Sequence, residues 1–273
     1  MRDTPRTVPA HIELTRQRIG SRPVQEDRQG TVTLDEMLAR AAAAAEGLRK
    51  IGVVPGQRVG LIADNSRDWI VADLAIQLAR GVSVPRGTDT PVAELAFLLS
   101  HAEAGIVLVH DGEHARAIEA IRDKVPTLGE VFTIDPADAP GRTLQDLVDL
   151  GKDGPSFSEQ AAVVEPDDVA TIIYTSGTTG RPKGVVLTQS NFGHQVDVVP
   201  QLVHMTPEEV FLSILPPWHS FERTVEYAAF VAGCRICYTD RRRFKEDLLR
   251  YRPTFMASVP RLWETVHQGV LRA

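Results

Sequence analysis

Tyr174-Thr175-Ser176-Gly177-Thr178-Thr179-Gly180-Arg181-Pro182-Lys183-Gly184 separates two apolar runs, 169–174 and 184–188, each of strand length. Every residue from Thr175 to Gly180 is a glycine or carries a hydroxyl. Glycine lets backbone N–H groups approach a ligand closely, and hydroxyls add donors for phosphate oxygens. Lys183 adds a point charge that can follow a polyphosphate. Anion binding is the chemistry this composition supports. A Walker A loop is excluded on spacing and context. Five residues after Gly177 stands Pro182, Gly184 rather than Ser or Thr follows the lysine, and 185–187 continues as strand instead of opening a helix. A hairpin turn with no ligand is the competing explanation, yet a tight hairpin needs only about two to five residues and no such run of hydroxyls.

Outward from this bend, helix and strand patterns alternate. On the N-terminal side, Thr33-Leu34-Asp35-Glu36 has the spacing of a capping box, opening a helix through the alanine tract 41–45 to Leu48, with Gly52 as its stop. Residues 58–63 read as a strand, and Asp64-Asn65-Ser66 turns the chain into a helix carrying Trp69, Ile70, Ala72, Leu74 and Leu78. A strand at 82–84 follows, then a helix capped by Thr90-Pro91 and reaching about Ser100. Strands at 106–109 and 130–134 flank a helix over 113–123. Beyond the bend come a helix from Ser190, strands at 210–214, 235–238 and 254–258, and a final helix over 261–271. This rhythm predicts an α/β fold with a largely parallel sheet flanked by helices. The division expected from it is an N-terminal arm (1–30) laid over the surface, a first α/β subdomain (31–150), a Gly/Pro/Ser-rich joint (151–168) and a second subdomain (169–273) carrying the bend.

The chain has 273 residues, 43% hydrophobic and 24% charged, with a formal net charge of −6. That length can bury a core without staples, and the mild acidity argues against nucleic acid as a partner. Two cysteines make no disulfide scaffold, which suggests a reducing, cytoplasmic setting. No stretch approaches 18 uncharged apolar residues, so a spanning helix is not expected, while peripheral contact with a membrane stays open. Three further patterns are set aside. His110-Asp111-Gly112-Glu113-His114 spells a zinc motif, but it follows a strand and contains a turn pair, which denies both histidines one helical face. Cys234-Arg235-Ile236-Cys237 lies in a strand pattern, where an odd offset sends the thiols to opposite faces. Arg241-Arg242-Arg243 with Lys245 reads as a solvated loop face, with contact to CoA phosphates or anionic lipid as the alternative.

The bend resembles, nearly position for position, the phosphate-binding signature of adenylate-forming enzymes: acyl-CoA synthetases, luciferases and amino-acid adenylation domains. Leu215-Pro216-Pro217-Trp218-His219-Ser220-Phe221-Glu222-Arg223 is similar to the next motif of that superfamily in its long-chain fatty acid CoA ligase form. Ser258-Val259-Pro260-Arg261-Leu262-Trp263-Glu264 and Gly81-Val82-Ser83-Val84-Pro85-Arg86-Gly87-Thr88-Asp89-Thr90 resemble the same branch. The resemblance runs from about residue 25 to the end. It implies the large N-terminal domain of such an enzyme, incomplete here, which activates a fatty acid with ATP and Mg2+ to an acyl-adenylate and transfers it to coenzyme A.

On that resemblance Thr175, Ser176, Gly177, Thr178, Thr179, Gly180 and Lys183 would hold the β- and γ-phosphates. Thr175 would give Mg2+ a hydroxyl and Lys183 would screen the leaving pyrophosphate. His219 would stand by the acyl carboxylate, and Trp218 and Phe221 would either wall the acyl site or serve ordinary packing. Gln189 stands where many relatives carry a histidine, a change expected to tune loop packing. The family's Tyr-Gly-x-Thr-Glu segment, ribose-binding aspartate, hinge and C-terminal lysine have no counterpart, so the chain is expected to be a C-terminally truncated fragment, inactive alone. Two alternatives stand beside the fatty acid ligase: an adenylating enzyme for another carboxylic acid, and a non-catalytic nucleotide- or acyl-binding module.

Overall fold

A computed structural model describes residues 5–175 and 182–271. Helix and strand alternate over 34–134 as the sequence pattern predicts, and helices that it did not foresee stand at 8–19, 144–151, 157–161, 220–232 and 244–251. The elements run α1 (Val8–Ile19), β1 (Pro23–Asp27), β2 (Gly30–Thr33), α2 (Leu34–Lys50), β3 (Arg58–Ile62), α3 (Arg67–Leu78), β4 (Val82–Arg86) and α4 (Val92–His101). Next come β5 (Ile106–Val109), α5 (Gly112–Glu119), β6 (Glu130–Thr133), α6 (Leu144–Gly151), α7 (Phe157–Ala161), β7 (Val169–Thr175), β8 (Lys183–Thr188) and α8 (Gln189–Leu202). The chain closes with β9 (Val210–Ser213), α9 (Ser220–Ala232), β10 (Arg235–Tyr238), α10 (Phe244–Tyr251) and α11 (Pro260–Leu271).

Two sheets result. The larger has the order β6-β5-β3-β4-β7-β8, parallel throughout except for the β7–β8 hairpin at its edge. The smaller has the order β2-β1-β10-β9, with only β1–β2 antiparallel. Parallel strands need covered faces, and β5 shows how the sequence provides them. Ile106 and Leu108 enter one apolar cluster with α2 and α3, while the alternating Val107 and Val109 enter another with α4 and α5. The first cluster runs from Val8 to Ala257 and joins both sheets. The expected capping box is present: Thr33 N donates to Glu36 Oε2 at 2.8 Å, and Glu36 N to Thr33 Oγ1 at 3.2 Å.

Several expectations need correcting. The first 30 residues do not lie over the surface as an arm: α1 buries Val8 and Ile12, and β1 sits between β2 and β10. The 151–168 joint contains α7, whose Phe157 and Gln160 are buried. The helix over 113–123 stops at Glu119 and is followed by a single 3-10 turn, Arg122–Lys124. Thr90 does not cap α4; Pro91 holds the cap position with no side-chain bond. Residues 254–258 form no strand, only one bridge between Phe255 and Phe211; Thr254 and Phe255 bond Val210 at the start of β9, and Leu212 N donates to the Phe255 carbonyl. The two cysteines do part as their offset requires, Cys234 into the large core and Cys237 into a cluster with Phe244 and Tyr251. His110 precedes α5 while Asp111 caps it, and His114 Nδ1 lies 2.7 Å from Asp111 Oδ1, so the two histidines share no helical face. Among the described residues no helix is long and apolar enough to cross a membrane.

Candidate functional site

In open parallel sheets, ligands bind beyond the carboxyl ends of the strands. Here β3, β4, β7 and β9 end on the segments that matter. Thr175, the last residue of β7, pairs in register with Lys183, the first of β8, so both stand exposed at the mouth of the bend. Ser176, Gly177, Thr178, Thr179 and Gly180 lie outside the described residues.

The root of the bend is held through Tyr174. Ser83 of β4 faces Thr171 of β7, and three residues further on Arg86 meets Tyr174. An Arg86 terminal nitrogen donates to the Tyr174 carbonyl at 3.3 Å, and the same guanidinium is ion-paired with Glu94 on α4. At its other end the buried Tyr174 ring shares a hydrogen bond of 2.7 Å with His101 Nδ1, also on α4. Burial pushes the Tyr174 hydroxyl above its ordinary pKa, keeping it a neutral hydrogen-bonding group.

After Arg86 the chain passes directly under the second motif. A Cβ on Gly87 would collide with the Trp218 ring, so only glycine lets that indole lie against the backbone. Thr88 Oγ1 donates to Asp64 Oδ2 at 2.7 Å, tying the ends of β4 and β3 together. Asn65 Nδ2 then donates to Ser213 Oγ at 2.7 Å, and Ser213 Oγ to Glu222 Oε1 at 2.6 Å, which carries the connection across to the smaller sheet. Through these contacts Thr175, Lys183 and the 218–219 pair share one edge of the molecule.

His219 occupies the N-cap position of α9 with no side-chain capping bond, which leaves its imidazole uncommitted. The ring is exposed at its rim, yet packing lowers its pKa, assisted by the Arg86 charge and opposed by Asp89. The histidine is therefore neutral near pH 7, able to donate or accept one hydrogen bond. Trp218 is half-buried, whereas Phe221 is 55% exposed and belongs to no core.

Beneath His219 the first turns of α9 point charges into the interior. Arg223 is fully buried and ion-paired with Asp73 of α3, and its Nε donates to Tyr227 Oη at 2.7 Å. Tyr227 Oη also accepts from Gln77 Nε2 at 2.7 Å, and Gln77 Oε1 accepts from Gln189 Nε2 at 2.9 Å. Gln189 thus joins α8 to this core network, and its Oε1 accepts from Val8 N at 3.3 Å as well. Burial pushes the Glu226 carboxyl up to about 8, so it holds its proton at neutral pH, and burial raises Glu222 well above its ordinary value. Arg86, Asp64, Asn65 and Glu222 received no role from the sequence; the first three could have been found by asking what stands at each strand's carboxyl end.

Comparisons with known proteins bear on the family and the fold. The family model described as AMP-binding enzyme matches residues 11–272. The chain is 34% identical over 243 residues to the chloroplastic long-chain-fatty-acid–[acyl-carrier-protein] ligase AEE15 of Arabidopsis thaliana, covering 83% of this chain and 33% of that protein. It is 33% identical over 242 residues to the long-chain-fatty-acid–CoA ligase FadD15 of Mycobacterium tuberculosis, covering 86% of this chain and 40% of that protein. A crystal structure of a long-chain-fatty-acid–CoA ligase from Archaeoglobus fulgidus superposes with a TM-score of 0.86 at 21% identity, over 99% of this chain and 55% of that one, a likeness of fold. The chain spans well under half the length of these curated relatives.

Proposed function

The chain belongs to the AMP-binding enzyme family, and on that premise we propose that it forms the phosphate- and carboxylate-binding part of an ATP-dependent ligase that activates a long-chain fatty acid and passes it to coenzyme A. One observation carries the reading: Thr175 and Lys183 pair in register across the mouth of the Gly/Thr bend, and the chain that braces its root through Arg86 continues at Gly87 against Trp218, beside His219. The chemistry asks for this pairing. A carboxylate oxygen attacks the α-phosphorus of ATP, the bond to the β-phosphate oxygen breaks, and pyrophosphate departs with the electron pair. Two anions must be held together while charge moves to the leaving group, so positioning and electrostatics supply most of the acceleration.

Thr175, Lys183 and the loop between them hold the β- and γ-phosphates, and Lys183 screens the charge that accumulates there. A neutral His219 donates a hydrogen bond to the fatty carboxylate without cancelling its nucleophilic charge. Mg2+ fits this mouth, since it takes one or two protein oxygens and completes its shell with water and phosphate. Thr175, exposed opposite Lys183, is the residue to hold it, and the ion would neutralise phosphate charge. Free Cys234 and Cys237, both buried, support a cytoplasmic setting. An acyl-carrier-protein thiol is the second acceptor to consider, favoured by the likeness to the Arabidopsis ligase.

The test is ATP–pyrophosphate exchange by the protein produced from its own gene, against a panel of carboxylic acids. Exchange dependent on long-chain fatty acids, and lost in Lys183→Ala and His219→Ala, is expected. Exchange with none of them, or at the wild-type rate in Lys183→Ala, would overturn the reading.

A further inference from the structure

Arg86 lies outside both the 174–184 and the 215–223 motifs, in the 81–90 stretch, where it received no role. Its guanidinium donates to the carbonyl of Tyr174, one residue before the bend, and is fixed by Glu94 on α4. Arg86 is half-buried, and its Nε is buried with no hydrogen-bond acceptor among the described residues, so the group is committed to protein contacts on one side only. The next residue, Gly87, lies against Trp218, whose ring centroid is 6.2 Å from that of His219. We propose that Arg86 is the positioning residue of this site: its planar fork sets the root of the phosphate loop through the Tyr174 carbonyl, while the residue that follows it packs against the Trp218 ring beside His219. The proposal rests on the assignment of the bend to phosphate.

The physical argument turns on what a guanidinium offers and an ammonium does not. A rigid fork can hold a carbonyl and a carboxylate together, each along a fixed direction. Lysine keeps the charge but meets only one acceptor with comparable geometry. Methionine keeps the stem and loses both. Charge and geometry therefore separate. Arg86 and Asp89, both from the end of β4 and the turn after it, are the charged groups acting on the His219 ring, in opposite senses. Removing Arg86 leaves Asp89 to favour the imidazolium. Removing only the fork releases the Tyr174 carbonyl and leaves the ring largely as it was.

The experiment compares wild type with Arg86→Met, Arg86→Lys and Glu94→Gln by two readouts: titration of the His219 ring by NMR, and calorimetric binding of magnesium pyrophosphate. In Arg86→Met the His219 midpoint should rise and binding should weaken about tenfold, the usual scale for a lost hydrogen bond to a charged donor. In Arg86→Lys the midpoint should stay near wild type while binding still weakens, and Glu94→Gln should weaken binding by less. A merely structural role would not produce this split. If wild type binds and Arg86→Met binds equally, with His219 unmoved, the role of Arg86 is overturned and the phosphate assignment survives. If wild type ignores magnesium pyrophosphate, the phosphate assignment falls and the loop-setting role with it. Should Arg86→Met fail to fold, Arg86→Lys decides: wild-type binding there would overturn the proposal.

Discussion

The β7–β8 hairpin and the segment from β9 into α9 meet at the same edge of the molecule, but they are held in opposite ways. The hairpin lies at the rim of its sheet, with Val185 and Val186 45% and 53% exposed on successive residues, and its functional side chains Thr175 and Lys183 stand in solvent. A backbone ladder, the buried β7 residues Ala170, Thr171, Ile173 and Tyr174, and the Arg86 bond to the Tyr174 carbonyl hold it. Across the edge, Glu222, Arg223, Glu226 and Tyr227 of α9 are all buried, and His219 rides on the helix they anchor. One side is built to present groups that can move onto a ligand; the other fixes a wall. Stability and ligand affinity should therefore respond to different residues.

The largest effect should come from the wall. Arg223→Ala leaves Asp73 charged and unpaired in a fully buried place, a loss of about 3–5 kcal/mol readable by chemical denaturation. A loss under about 1 kcal/mol would place the wall's strength elsewhere. Next comes pH. The Glu226 carboxyl is pushed up to about 8 by burial, so the folded state holds a proton that the unfolded chain releases near its ordinary value. The resulting stability is complete in mild acid and declines as pH rises towards 8, with a slope of at most about 1.4 kcal/mol per unit. Glu226→Gln should flatten that slope, and an unchanged stability–pH curve would contradict the assignment.

Smaller effects belong to the hairpin. Tyr174→Phe removes the bond to His101 and should cost about 1 kcal/mol, with weaker magnesium pyrophosphate binding in the same protein. Lys183→Ala should change stability by less than about 0.5 kcal/mol and still impair phosphate binding. A Lys183→Ala protein that unfolds easily would erase the contrast between the two regions.

The same contrast explains what could be read in advance. The bend declared itself because its chemistry is local: hydroxyls, glycines and a lysine need no distant partner to mark an anion site. Capping at Thr33 and the strand rhythm of 58–62 and 106–109 are local too. Residues 1–30 misled because their burial is non-local. Gln25 pairs with Ile236 across two hundred residues, and its Nε2 donates to Tyr238 Oη at 3.1 Å, which nothing in a polar stretch reveals. Asp73, Arg223 and Glu226 likewise look like surface positions on helices until they are found buried, Arg223 bonded to Asp73 of α3 and Glu226 to Tyr238 of β10. Arg86 sat inside a quoted motif without a role, because its partners Glu94 and Tyr174 meet it only through the order of β4 and β7.

Crystals of the chain grown or soaked with MgATP put the central claim to the most direct test. Density for the β- and γ-phosphates between Thr175 and Lys183, within reach of both side chains, is the expected result. Triphosphate bound at another surface, with the 175–183 bend empty, would contradict it.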